Sequence, residues 1–436
     1  MFDFQKYYIR ITLFYIFIMI LSGILLDFAR VYPFFNANVP NLYPVLKLIH
    51  YNIFLYGLLL NILPGIFVFF AEPETKIFFW GKNITAYCFW LYPISITLGI
   101  LGNIFGYWQP TEYLEFEWLA DIFIACLLAL YFKSTLRFFR QNVLRQYVWI
   151  FYILIPLMVF SIFFVLLNFR RPTGLLSSSD LISPYAHNIL SIAFHSFIVY
   201  YFIAIVGFGI AYLILIPILE IDNDLLFSIK IQWKMQTIFF IILLYYQLKF
   251  HIYQIETTGL NIGIFLIFAS LFIGIRNLNF LKSILKNQNT RLISLIVMFL
   301  QIYILGSMLS GLPTFRGLLS GTSWENGQRH LLVTGFFLPA FILFLQKMNS
   351  DLLHLNQILE FWWAGVLVLV ASAWVFGVIE AGFIGKMDEY GFLEYPAFSE
   401  ISKILNPYYI IRSIVFCIMF IIAAISVHNI RKKRIL

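Results

Sequence analysis

The stretch Leu46-Lys-Leu-Ile-His-Tyr-Asn-Ile-Phe-Leu-Tyr-Gly-Leu-Leu-Leu-Asn-Ile-Leu-Pro-Gly-Ile-Phe-Val-Phe-Phe70 decides what kind of protein this is. A helix that crosses the hydrocarbon core of a bilayer needs about 20 apolar residues. This run exceeds that length and holds one lysine and one histidine, both near its start. It lacks the strict in–out alternation of a membrane β-strand, so a transmembrane helix is the reading. His50 then lies in the first turns of a membrane span, where an ionisable side chain is costly and usually faces a bundle interior.

The rest of the chain repeats the theme. Of 436 residues, 61% are hydrophobic and 20% aromatic, with 50 Phe and 26 Tyr, while only 11% are charged. A soluble domain carries about 25% charged residues. Disorder and a soluble enzyme with one ordinary core are both excluded, because water cannot cover so much apolar surface. Cys88, Cys126 and Cys417 lie scattered in apolar runs, at no metal or disulfide spacing. Gly-rich phosphate loops, zinc spacings, a nucleophile elbow and a cleavable signal pattern are absent.

Twelve runs qualify as spans or nearly so, at about 11–29, 46–70, 85–106, 116–132, 146–168, 189–216, 235–254, 258–275, 292–310, 329–346, 361–384 and 406–428. The fourth and eighth are short. The expected fold is therefore all-α: a polytopic membrane protein of about twelve helices, forming one transmembrane domain over residues 1–436. An even number of spans places both termini on one side. Assigning the 29 basic residues to the nearer side puts 19 with the termini, whereas 13 of the 21 acidic residues fall opposite. Lys and Arg concentrate in cytoplasmic loops, so the termini are cytoplasmic. The net charge of +8 is an orientation signal and does not point to nucleic acid.

The same topology sorts the seven histidines. His354 falls in a cytoplasmic loop and His428 closes the last span. His50, His187, His195, His251 and His330 all fall toward the outer face, on four different spans. Several neutral imidazoles at one depth suit a metal or haem site. Imidazoles at a membrane interface also serve as plain hydrogen-bonding groups, and depth alone leaves the two readings level.

Local patterns separate them. Leu46-Lys-Leu-Ile-His50-Tyr-Asn52 resembles the second helix of subunit I of the heme-copper oxidases. There a basic residue precedes a low-spin haem ligand by three positions and Asn follows it by two. Trp324-Glu-Asn-Gly-Gln-Arg-His330 resembles the tenth helix of the cbb3-type branch. Glu115-Phe-Glu-Trp118-Leu-Ala-Asp121 is similar to the segment ahead of that family's fourth helix. Glu360-Phe-Trp362 and Trp374-Val-Phe-Gly377 through Gly382 are similar to its eleventh. Pro407-Tyr-Tyr-Ile-Ile-Arg412 and His428-Asn429 are similar to its twelfth. These patterns run in order along nearly the whole chain. The cbb3-type cytochrome c oxidases resemble it most, nitric oxide reductases next.

The resemblance implies a low-spin haem b held between His50 and His330. Two imidazoles leave the iron no open position, which suits electron transfer. Lys47 stands where it would pair with a haem propionate, or snorkel to the interface as lysines commonly do. The family's oxygen-reducing centre is where this sequence departs. The position of the high-spin haem ligand is Gln328, a poor iron ligand. The paired copper ligands fall on Leu248 and Lys249, with only His251 following. His195 fits the remaining copper ligand, and Tyr245 and Tyr246 are off register for the family's cross-linked tyrosine. On this reading copper and the high-spin haem are absent, and His195 and His251 are remnants, core hydrogen-bonding residues or ligands of an altered site.

The implied protein sits in the bacterial cytoplasmic membrane and takes part in respiratory electron transfer beside a cytochrome c-type or other respiratory subunit. Two alternatives stand beside it: a divergent but active oxidase or nitric oxide reductase, and a haem-free twelve-helix transporter or lipid-linked glycan enzyme. Glu112, Glu115 and Glu117 would steer a basic donor protein, or simply form a solvated face. Glu380, inside the eleventh span, is a proton relay, an iron ligand or a hydrogen-bonding neighbour of another helix. Asp27 and Asp121 read as structural. The orientation is testable: a green fluorescent protein fused after Leu436 should fluoresce in the cytoplasm, and alkaline phosphatase fused there should be inactive.

Overall fold

The computed structural model describes residues 4–32, 42–61, 82–109, 116–135, 148–215, 230–245, 295–306, 322–348, 355–384 and 398–432, a few positions within these ranges apart, together with Leu114 and Leu319. The described helices, in chain order, are α1 (Phe4–Val31), α2 (Leu42–Asn52), α3 (Lys82–Ile104), α4 (Trp118–Thr135), α5 (Ile155–Leu167), α6 (Pro184–Phe197), α7 (Ile203–Leu215), α8 (Ser323–His330), α9 (Leu338–Met348), α10 (Leu355–Ile384) and α11 (Phe398–Lys432). Further helical residues lie at 230–238 and 298–303. Among the described residues, five helical stretches are long and apolar enough to cross a membrane: Arg10–Val31, Leu42–Leu60, Ile150–Leu167, Phe361–Gly382 and Lys403–Ile422. Trp90–Ile104 and Trp118–Ala129 are shorter apolar helices. Helical residues occur in each interval expected from the sequence except 258–275, which lies outside the described residues. The protein is thus an all-α, multi-helix membrane protein.

One element departs from the all-helical expectation. β1 (Arg170–Pro172) and β2 (Ser178–Asp180) pair antiparallel as a small hairpin between α5 and α6. Too few apolar residues sit here to signal strands; the hairpin is pinned from outside. The Trp118 indole donates to the Gly174 carbonyl at 3.0 Å, and the Ser178 hydroxyl donates to Glu117 at 2.6 Å.

Among the described residues, four stretches are wound more widely, with backbone bonds reaching back five residues: Ile53–Leu60, Trp149–Leu154, Ile198–Phe202 and Leu331–Phe337. Such winding is rare and often marks functional sites. Three of the four start just after His50, His195 and His330. Prolines explain two of the ends: Pro156 and Pro339 stand two residues beyond Leu154 and Phe337 and supply no N–H to the returning α pattern.

The described chain groups into two compact units, one of Met1–Ala29, Phe34–Ile198 and Lys347–Asn349, the other of Arg30–Pro33, Val199–Gln346 and Ser350–Leu436. In the first, the buried Tyr56 ring stacks on Phe116 at 4.9 Å, and Asn61 donates to Thr12 at 3.0 Å, tying the end of the second span to α1. Gly57 lets Tyr15 approach the same helix. Phe160 and Phe163 of α5 interlock with Phe194 and Phe197 of α6.

In the second unit, α8 lies tightly on α10. The Trp324 and Trp374 rings stack at 4.8 Å. A Cβ at Gly377 would overlap the Trp324 backbone, and one at Gly327 would stand 2.8 Å from the Trp374 ring. Small residues at such crossings are how membrane helices approach closely, since lipid gives no hydrophobic drive for association. Gly377→Ala should therefore cost about 1–3 kcal/mol, the range for overpacking a filled contact, and appear as a lower unfolding midpoint in a detergent melt.

Candidate functional site

His50 lies in the last turn of the regular part of the second span, three residues before the wide winding begins at Ile53. Its Nδ1 lies 2.9 Å from the Met19 carbonyl of α1. A carbonyl only accepts, so Nδ1 carries the proton, and in the neutral ring Nε2 is then the nitrogen with the lone pair. The Ser22 hydroxyl donates to the same carbonyl at 2.9 Å and sits 3.3 Å from Nδ1. Beneath the ring is Gly23, where a Cβ would come within 3.1 Å of Cε1. Backbone carbonyl, hydroxyl and glycine together fix both the tautomer and the plane of His50. A metal-bound histidine is characteristically oriented by such a bond from its other ring nitrogen. Lys47, one turn earlier, holds its ammonium 5.4 Å from the centre of the Tyr51 ring, a cation–π partner.

His330 is set by different means. Thr322 caps α8, accepting from the Trp324 amide at 3.4 Å. Glu380 of α10 receives the Ser323 amide at 2.8 Å and the Ser323 hydroxyl at 3.0 Å. A carboxylate at a helix N-terminus meets unsatisfied N–H groups and the positive end of the helix dipole. Of the three roles open to Glu380 in the sequence, the bond to a neighbouring helix is the one seen. At the other end of α8, Thr334 donates its hydroxyl to the His330 carbonyl at 2.5 Å, and the His330 ring meets Phe416 edge-on at 5.5 Å.

His50 belongs to the first unit and His330 to the second, and each is described in its own surroundings. His195 lies in the last turn of α6, half-buried, and His187 is buried with Nδ1 3.9 Å from the Asp180 carboxylate. His251, with Leu248 and Lys249, lies outside the described residues, as do Glu112, Glu115 and His354. Among the described residues, no three His, Cys, Asp or Glu side chains gather into a metal cluster. Gln328 points its amide at Gly306, so closely that a methyl group there would overlap it.

Two acidic residues turn out differently from a solvated surface. Glu117 is buried and bonded to Ser178, so it braces the hairpin and does not belong to an exposed acidic face. Asp121 is buried and accepts from Gln109 at 2.7 Å, while the same Gln109 amide also donates to the Phe116 carbonyl. That bond is structural, as expected for Asp121. Reasoning from spans overlooked Met19, Ser22 and Gly23, whose roles need the neighbouring helix in place. The Thr322-Ser-Trp-Glu325 pattern, a capping-box sequence, was the readable sign that a helix carrying His330 starts there.

Comparison with known proteins places this geometry. A search of the curated proteins returned no match. The fold is similar to that in the cryo-EM structure of a heme-copper terminal oxidase dimer, with a TM-score of 0.57 and 15% identity, over 98% of this chain and 84% of that one. Residues 3–418 match the family described as Cytochrome C and Quinol oxidase polypeptide I. With nearly its whole length inside that match, the chain belongs to the heme-copper oxidase subunit I family.

Proposed function

We propose that this chain holds one low-spin haem b between His50 and His330 and carries electrons in a respiratory membrane complex without reducing oxygen itself. The observation that carries the reading is the bond from His50 Nδ1 to the Met19 carbonyl. It holds the proton on Nδ1 and so leaves Nε2 as the nitrogen that would bind the haem iron. Gly23 leaves the ring its place, so the residues present fit the group. Held by His50 and His330, the haem would supply one-electron uptake and release.

The protein's own residues supply orientation. Met19 and Ser22 hold one imidazole from α1. Glu380, Trp374 and Thr334 hold the helix of the other. Lys47 stands on the outer side of His50, its ammonium over the Tyr51 ring, as a cation for a propionate. The reading that the oxygen-reducing centre is lost is supported by Gln328, a neutral amide packed over Gly306 where the family has its iron ligand. Leu248 and Lys249 in place of paired copper ligands point the same way. His195 and His251 are then remnants. We place the protein in the bacterial cytoplasmic membrane with a cytochrome c-type or other respiratory subunit as its partner, because a single haem has to exchange electrons with a second centre. Membership of the family leaves the transporter and glycan-enzyme alternatives without an observation in their favour.

Optical spectra of the purified protein test the proposal. Dithionite should produce a low-spin b-type α-band, and carbon monoxide should leave it unchanged. A Soret band that shifts with carbon monoxide points instead to a divergent oxidase or nitric oxide reductase. His50→Ala and His330→Ala should each abolish the low-spin spectrum; a haem that persists in both variants contradicts the ligand assignment.

A further inference from the structure

Pro339 creates a specific backbone deficit next to His330. The wide winding of Leu331–Phe337 has backbone bonds that reach back five residues, ending with the Leu338 N–H on the Val333 carbonyl. α9 then resumes the ordinary four-residue pattern. The next donor in line is residue 339, a proline without an N–H. At this junction the carbonyls of Thr334 and Gly335 have no backbone donor to receive. Both residues are buried in a membrane protein, where an unsatisfied backbone group is costly and water is scarce.

Two tryptophans supply the missing donors. Trp362 Nε1 donates to the Thr334 carbonyl at 2.9 Å, and Trp363 Nε1 donates to the Gly335 carbonyl at 3.1 Å. Both rings are buried, at 4% and 3% exposure. Consecutive residues on α10 thus meet consecutive carbonyls on the segment after His330. Thr334 links that junction to the histidine itself, since its hydroxyl bonds the His330 carbonyl. Phe299 backs the arrangement, stacked on Trp363 at 6.2 Å and filling the space beside Gly335.

We propose that Trp362 and Trp363 are positioning residues for the His330 imidazole, closing the two carbonyls left open where the wide winding meets Pro339 and so fixing the winding that follows His330. The inference rests on the reading of His330 as a haem ligand. The indole N–H groups act through the backbone; neither ring needs to touch the haem. The change of winding strands the Thr334 carbonyl and the proline strands that of Gly335, so the second deficit can be removed at its source.

The test compares Trp363→Phe with Trp363→Phe/Pro339→Ala in the full-length, haem-loaded protein, by low-temperature EPR and the reduced α-band. Phenylalanine keeps the ring and loses the donor, so the single variant should retain haem with a displaced low-spin EPR signal. Alanine at 339 returns an N–H four residues after Gly335, so the double variant should move the signal back toward wild type. If the single variant loses haem altogether, its recovery in the double variant supports the proposal and continued loss overturns it. A single variant that matches wild type, or a displaced signal that Pro339→Ala leaves in place, also overturns it while the haem reading stands. Wild-type protein without any haem overturns both.

Discussion

A helix in lipid must satisfy its backbone from within the protein, and this constraint organises what surrounds the proposed haem ligands. Each change from wide to ordinary winding strands carbonyl groups, and a proline at the change removes the donor that would recover one of them. In water such groups would be hydrated at little cost. Here the carbonyls need indole or hydroxyl donors, and a free N–H at a helix start needs a carboxylate, from neighbouring helices. Trp362 and Trp363 close the junction before Pro339, and Glu380 closes the N-terminus of the helix that ends in His330. The helix bearing His330 is held at both ends by groups on one partner, α10.

The two proposed ligands illustrate two ways to orient an imidazole. His50 is fixed through its own ring nitrogen, which donates to a carbonyl on α1 and so selects one tautomer. His330 is fixed through its backbone, by the capped and stacked helix before it and the tryptophan-closed winding after it. The first arrangement tunes the basicity of the ligand directly. The second sets where the ligand can reach. Both rely on glycine at the point of closest approach, Gly23 beneath the His50 ring and Gly327 and Gly377 between α8 and α10.

Much of this was legible in the chain. The apolar runs mark the spans because hydrocarbon thickness fixes helix length. The order of short motifs around His50, Trp118, His330, Trp362 and Arg412 agrees with a family match over residues 3–418. The hairpin at Arg170–Asp180 was not legible, because its stability comes from Trp118 and Glu117, distant in sequence. Glu117 was misplaced for the same reason: a carboxylate in a loop with Glu112 and Glu115 looks solvated until the strand it bonds to is known.

The sequence by itself determined the solvent, the helical class and the family, because these follow from length, charge and residue type along one segment. Only the tertiary structure decided what each polar group does. The tautomer of His50 depends on a carbonyl 31 residues away, and the role of Glu380 on an amide 57 residues away. Backbone carbonyls are identical in every residue, so no pattern of side chains reveals which one is left without a donor. That becomes visible only when the helices are wound and packed, and it is there that Pro339 and the paired tryptophans acquire a common purpose.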